Sequence, residues 1–274
     1  MQLLSYRGLH KFSCINFAKN FTKRKVTLAK KKSSEQSAQS NSSRLPSSDF
    51  NPDWYAAIEN NTIRFEREYN QEKPQLPPEV EEIAIYEQWH SGSMQNVVAS
   101  EFWQLQKPKK KQHWLDIGCG LSFLIYPWSE WDAFFYGQEI SKTAQGILTS
   151  RAPQLNSKLF KGVKLGAAHL LDYETNQFDG AIATGWSCYY PLDYWVKVFT
   201  EIKRVLKPDG VLIFDVLDPE AELAEDWAIL ETYLGTEVEL TSLQDWQDCL
   251  KQLGGKVKKS KSGELFQCWK VSFS

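Results

Sequence analysis

Two rhythms divide the chain. From Asp53 to Gln106 apolar residues recur at helical spacing: WYAAIENNTIRFEREY predicts one helix and VEEIAIYEQWHSGSMQNVVASEFWQL one or two more, with the breaker KPQLPPE between them. From HWLDIG onward short apolar runs alternate with helical segments. The runs predict strands at 113–117, 133–138, 161–165, 178–183, 210–216 and 264–273, the last following a hairpin at Ser262-Gly263. Helices are predicted near 122–128, 142–150, 192–206, 221–233 and 242–253. Such alternation belongs to an α/β fold, a parallel, doubly wound sheet covered on both faces.

Three segments follow. Residues 1–48 read as a disordered basic and Ser-rich leader, because KKSSEQSAQSNSSRLPSS carries too little apolar surface to order itself. Residues 49–110 form an N-terminal helical cap and 111–274 the sheet-bearing domain. The leader's freedom from acids also fits an organelle transit peptide, although arginine is scarce there; a dispensable or mis-assigned start fits better. No internal repeat is evident.

Charge narrows the class of partner. The net charge is −2, but residues 1–34 hold nine Lys/Arg and no acid, which leaves 23 basic against 34 acidic residues in the remainder. Binding to a phosphate backbone rests largely on Lys and Arg, so nucleic acid is disfavoured and a small molecule, or else a protein, is the expected partner. The five cysteines are scattered and never form a CxxC pair, so neither a disulfide framework nor a metal site is expected. No apolar run approaches the ~20 residues of a membrane span. A soluble chain without membrane contact, in the reducing cytoplasm or, with a transit peptide, an organelle, fits these features.

The chemistry concentrates where HWLDI runs into Gly118-Cys119-Gly120-Leu121-Ser122. Glycines at a strand-to-helix turn let backbone approach a ligand closely, and the amides that follow can meet a polar group. A dinucleotide fingerprint would place its third glycine at residue 123, where Phe123 stands, which weakens a pyrophosphate reading. Glu139 lies nineteen positions after Gly120, at the end of the next strand. Neighbouring parallel strands open into one crevice, so its carboxylate suits two vicinal hydroxyls of a ribose.

With these features the sequence resembles the class I S-adenosylmethionine-dependent methyltransferases of the small-molecule type, with a type 11/25-like domain. The stretches that carry the resemblance are WLDIGCGLS, FFYGQEIS, NQFDGAIATG and EIKRVLKPDGVLIFDV, in order over about 113–216, and the segment from SLQDWQDCLKQLGG to WKVSF resembles the family's last helix and strands. The resemblance implies a Rossmann-like, mostly parallel, seven-stranded sheet with an antiparallel last strand. It implies S-adenosylmethionine as cofactor, S-adenosylhomocysteine as product, and no metal. Asp116, Gly118, Cys119 and Gly120 would shape the methionine side of the site, Glu139 would hold the ribose, and Ile140 would pack on the adenine. Ala168 and His169 would lie at the adenine edge. Thr184, Gly185 and Trp186 would face the methyl group, and Trp186, Tyr189 and Tyr190 in WSCYYP would shape an apolar or cation-accepting substrate pocket.

Two departures stand out: Ser122 where many members have a third glycine, and Ala167 where an aspartate often meets the adenine amino group. Neither a Pro-Cys nucleophile motif nor an NPPY-like tetrapeptide occurs, which disfavours cytosine-C5 and amide or adenine-amino acceptors. Direct displacement needs proximity more than a base, and where a base is needed His169, His90 and Asp218 are the candidates. Competing readings are a methyltransferase-like module that binds without turnover, motivated by Ser122 and Ala167, and a nicotinamide-dependent oxidoreductase, which lacks a Tyr-x-x-x-Lys pair.

Overall fold

The computed structural model describes residues 51–72, 74–78, 80–91, 101–151 and 158–274; the leader therefore lies outside the described residues, as do positions 92–100 of the second cap stretch. The six predicted strands and a seventh for which no range was predicted, β6, assemble into a single sheet: β1 (His113–Ile117), β2 (Phe134–Glu139), β3 (Phe160–Leu165), β4 (Phe178–Ala183), β5 (Leu206–Leu217), β6 (Gly255–Ser262) and β7 (Phe266–Phe273). Their order is β3-β2-β1-β4-β5-β7-β6. The first five run parallel, and β7 is antiparallel to both β5 and β6. The order reverses between β1 and β4, so the loops at their carboxyl ends diverge and leave a crevice there.

The central strands are buried on both faces, which explains their continuous apolar runs. Leu115, Ile117, Ala181, Leu212 and Phe214 face one layer, formed by α4 (Leu192–Val205), α5 (Ala224–Leu234) and α6 (Leu243–Gln252). Trp114, Phe135, Ile182 and Ile213 face the other. There α3 (Lys142–Ser150) is joined by an aromatic cluster of Phe102, Phe123, Trp128 and Trp131. Ser141 and Ser242 cap α3 and α6, their hydroxyls accepting the amides of Ala144 and Asp245.

Two elements differ from the sequence expectation. In place of an α-helix at 122–128 stand two single 3-10 turns, Ser122–Leu124 and Trp128–Glu130. Pro127 lacks an amide and pushes Tyr126 out of the helical region, and the Trp128 indole donates to the Ser122 carbonyl at 3.0 Å, closing the segment on itself. β5 begins at Leu206 rather than 210: Leu206 pairs with Phe178 and Val211 with Gly180, and the Lys-Pro-Asp-Gly between them bulges out. Pro208 has no amide for the ladder, and Lys207 pins the bulge to Asp179 at 2.8 Å.

Of the cap, the described parts are α1 (Pro52–Tyr69) and the five-residue α2 (Tyr86–His90). Asn51 and Pro52 start α1 as a side-chain cap and a first-turn proline should. The helix buries polar residues against the sheet domain. Arg64 donates to Glu231 of α5 at 3.2 Å and to Glu68 one turn on. Asn61 donates to the Tyr189 carbonyl at 3.3 Å and accepts from Thr236. Glu66 takes both the amide and the hydroxyl of Thr143 in the first turn of α3, and the Trp54 indole donates to Asp193 of α4 at 3.0 Å. Among the described residues no helix is long and apolar enough to cross a membrane.

Arg64 and Glu231 are 6% and 1% exposed, so removing one strands the other's charge out of water. Arg64→Leu is expected to lower unfolding stability in urea by about 3–5 kcal/mol, the scale of a broken buried pair, and Glu231→Leu on top of it to restore most of that loss. Additive losses would show that the two side chains do not stabilise one another.

Candidate functional site

The crevice between β1 and β4 opens into a cavity of about 270 Å³. Its floor is the turn after β1. Gly118 and Gly120 have φ of +66° and +45°, in the left-handed region that glycine adopts without strain. Crowding compounds the requirement. A Cβ on Gly118 would lie 2.7 Å from the Trp186 indole, and one on Gly120 would lie 2.5 Å from the Tyr69 hydroxyl. Cys119 between them is buried, which holds its sulfur as a thiol by pushing its pKa up.

Glu139 ends β2 on the cavity wall, 5% exposed. One carboxylate oxygen accepts the Gly120 amide at 2.7 Å and the other the Ser141 amide at 2.8 Å. Burial raises its pKa, and the amides of Ser141, Gly120 and Ile140 pull it back down. Each oxygen keeps a further lone pair, so the group can also accept from a vicinal diol. Asp116, 3% exposed, accepts the Ser122 hydroxyl at 2.5 Å. Ser122 therefore holds the carboxylate beneath the turn. Burial pushes Asp116 up to about 7.

The remaining walls come from three loops and from α1. Ile140, Gly166 and Ala168 line the side next to Glu139. Gln138, which sequence reasoning passed over, organises that side: its amide donates to the carbonyls of Ala167 at 2.8 Å and Leu170 at 3.1 Å. A lone glutamine in the apolar run FFYGQE was the available signal, since a buried amide needs partners. At the end of β4, Thr184, Gly185, Trp186, Tyr189 and Tyr190 all reach the cavity. Buried Asp215 accepts the Gly185 amide at 2.8 Å, and Trp186 donates to the Ile117 carbonyl at 2.8 Å while stacking on Trp195 at 4.3 Å. Tyr190 stacks on Tyr194 at 4.5 Å. Phe65 and Tyr69 of α1 and Ile125 and Tyr126 of the 3-10 segment complete the wall. These four also escaped sequence reasoning, because nothing local in a helix face tells which cavity it will cover.

The three candidate bases do not line the cavity. His169 is half-buried with Nδ1 3.4 Å from the Tyr194 hydroxyl, and burial lowers its pKa. His90 shares a 2.5 Å hydrogen bond with Tyr86 inside α2. Asp218 accepts Gln267 at 2.9 Å and the Glu220 amide at 3.1 Å, closing the end of β5. Phe123, at the third position of a dinucleotide fingerprint, is packed into the aromatic cluster against Trp128 at 4.6 Å.

Comparison with known proteins bears on this geometry. Residues 115–214 match the family model of a methyltransferase domain. Over 134 residues the chain is 34% identical to the biotin biosynthesis bifunctional protein BioHC of Saccharophagus degradans, a stretch that covers 47% of this chain and 23% of that protein. A SAM-dependent methyltransferase from Aquifex aeolicus has a TM-score of 0.50 at 16% identity, over 68% of this chain and 95% of that one. The geranyl diphosphate C-methyltransferase of Streptomyces coelicolor A3(2), solved with Mg2+, geranyl diphosphate and S-adenosyl-L-homocysteine, has a TM-score of 0.54 at 12% identity, over 70% and 85%. At these identities the structural likeness speaks for the fold.

Asp116 carries a signature of its own. Its carboxyl moves from an ordinary 3.8 to about 7 on folding, so the folded chain keeps a proton that the unfolded chain releases. That stabilisation is complete below about pH 4 and is lost as pH rises through about 7. The stability of the native sequence minus that of Asp116→Asn is expected to fall by roughly 3–4 kcal/mol between those limits in urea unfolding. A difference independent of pH would place the carboxyl in water.

Proposed function

We propose, for a chain whose residues 115–214 match the family model of a methyltransferase domain, that it binds S-adenosylmethionine in this cavity and transfers the methyl group to a small-molecule acceptor. The observation that carries the reading is Glu139. Its two oxygens are pinned by the amides of Gly120 and Ser141 at the cavity wall, which fixes the carboxylate for a pair of ribose hydroxyls. No pyrophosphate subsite accompanies it, since Phe123 is committed to the core.

In this reading Ile140 and Ala168 flank the adenine, with the 166–172 loop held by Gln138. Asp116 and the Gly118–Gly120 turn hold the methionyl end. Bound there, S-adenosylmethionine would supply an activated methyl on its sulfonium, leaving the S–C electron pair on sulfur, and the acceptor's proton would be lost to bulk solvent as the product departs. The chain's own part is to orient the acceptor and exclude water. Thr184, Trp186 and Tyr190 present the acceptor from the end of β4, while Phe65 and Tyr69 of α1 close the other side. On this view the cap of residues 49–110 belongs to the site of the domain at 111–274. A general base is not required of His169, His90 or Asp218.

Calorimetric titration of S-adenosylmethionine and S-adenosylhomocysteine into the full chain tests the reading. Both are expected to bind, and Glu139→Ala to weaken each by about 1–3 kcal/mol, the scale of lost hydrogen bonds to a charged group. A folded native chain that binds neither compound overturns the proposal. Binding with no methyl transfer to any of a broad acceptor panel would instead favour a cofactor-binding module.

A further inference from the structure

The acceptor end of the cavity has a chemistry of its own. Seven aromatic side chains line the cavity, Phe65, Tyr69, Tyr126, Trp186, Tyr189, Tyr190 and Tyr194, and among the described residues no Lys, Arg or His does. The polar ends of three of these rings are engaged by the protein. Tyr126 engages Thr184, Tyr190 engages Asn61, and Trp186 donates to the Ile117 carbonyl. The Tyr69 hydroxyl lies over Gly120.

The carboxyl groups on the wall are Asp116 and Glu139, both buried. An anionic handle brought beside the bound cofactor would meet no cationic side chain among the described lining residues, and a charge desolvated without a partner is costly. A cationic nucleophile fails for another reason, because a protonated amine has no lone pair to accept the methyl group. The first exclusion rests on the wall of this chain and the second on the transfer chemistry.

We propose, resting on the methyltransferase reading, that the acceptor is an uncharged, ring-bearing molecule held between the Trp186 and Tyr190 rings of the β4 loop and the Phe65 ring of α1. Carboxylates, phosphates and phosphate-bearing carriers are excluded from the inner cavity. Ile125, 41% exposed, lies on the cavity wall at its solvent side.

The test is a fragment screen by ligand-observed NMR on the full chain saturated with S-adenosylhomocysteine, using matched ring compounds: naphthol, naphthylamine, naphthoate, naphthyl phosphate and a trimethylammonium naphthalene. The uncharged members are expected to bind at least tenfold more tightly than the anionic ones, and the trimethylammonium compound, which has no lone pair, to accept no methyl group when S-adenosylmethionine replaces S-adenosylhomocysteine. Ile125→Lys, which places a cation on the wall, is expected to improve naphthoate and naphthyl phosphate by tenfold or more relative to naphthol. Equal or tighter binding of the anionic compounds to the native chain overturns the proposal, as does a panel in which no uncharged member binds. If S-adenosylhomocysteine itself fails to bind, the methyltransferase reading fails instead, so the two failures are told apart at the first step. Should Ile125→Lys fail to fold, the native-chain comparison decides alone.

Discussion

The Glu139 carboxylate is the point on which the site turns. It spans the ends of two strands and the start of a helix, taking the Gly120 amide from the turn after β1 and the Ser141 amide ahead of α3. Both amides are donors that a strand-to-helix turn leaves without a backbone partner, so a single buried acid satisfies the turn and places itself at the crevice. The arrangement works only because Gly118 and Gly120 adopt positive φ and leave room for Trp186 and Tyr69 above them. Sheet topology supplies the crevice, the glycines bring backbone to its edge, and the carboxylate gives it polarity.

Around that polar floor the chain builds a collar of rings from distant parts of the sequence. Phe65 and Tyr69 come from α1, Tyr126 from the 3-10 segment, and Trp186, Tyr189 and Tyr190 from the loop after β4. Stacking of Trp186 on Trp195 and of Tyr190 on Tyr194 ties this loop to α4, which itself packs on the sheet. Rings held on both sides move little, and rigidity of this kind suits a reaction limited by positioning rather than by acid or base strength.

Much of the sheet was legible because parallel strands buried on both faces leave continuous apolar runs, and the four best examples, FFYGQ, FDGAIA, VLIFDVL and HWLDI, all became strands. The helix expected at 122–128 was not, because the apolar spacing there serves an aromatic plug and Pro127 forbids the helical geometry. The early start of β5 was hidden for a related reason: Lys-Pro-Asp-Gly reads as a turn, and it is one, but as a bulge within the strand. At the site, Glu139 and the glycine turn announced themselves by spacing. Phe65, Tyr69 and Tyr126 did not, since their positions depend on how α1 and the 3-10 segment lie on the sheet, a fact of tertiary packing rather than local pattern.

The pairing of Arg64 with Glu231 joins residues 167 positions apart. During synthesis α1 leaves the ribosome early, and its arginine meets Glu68 one turn on but cannot meet Glu231 until α5 has also emerged. The wall that α1 lends to the cavity therefore gains its buried ion pair late, although its residues are among the first described ones to be made. A nascent or truncated chain that ends before α5 would present the glycine turn and Glu139 in an open sheet, without the secured cover.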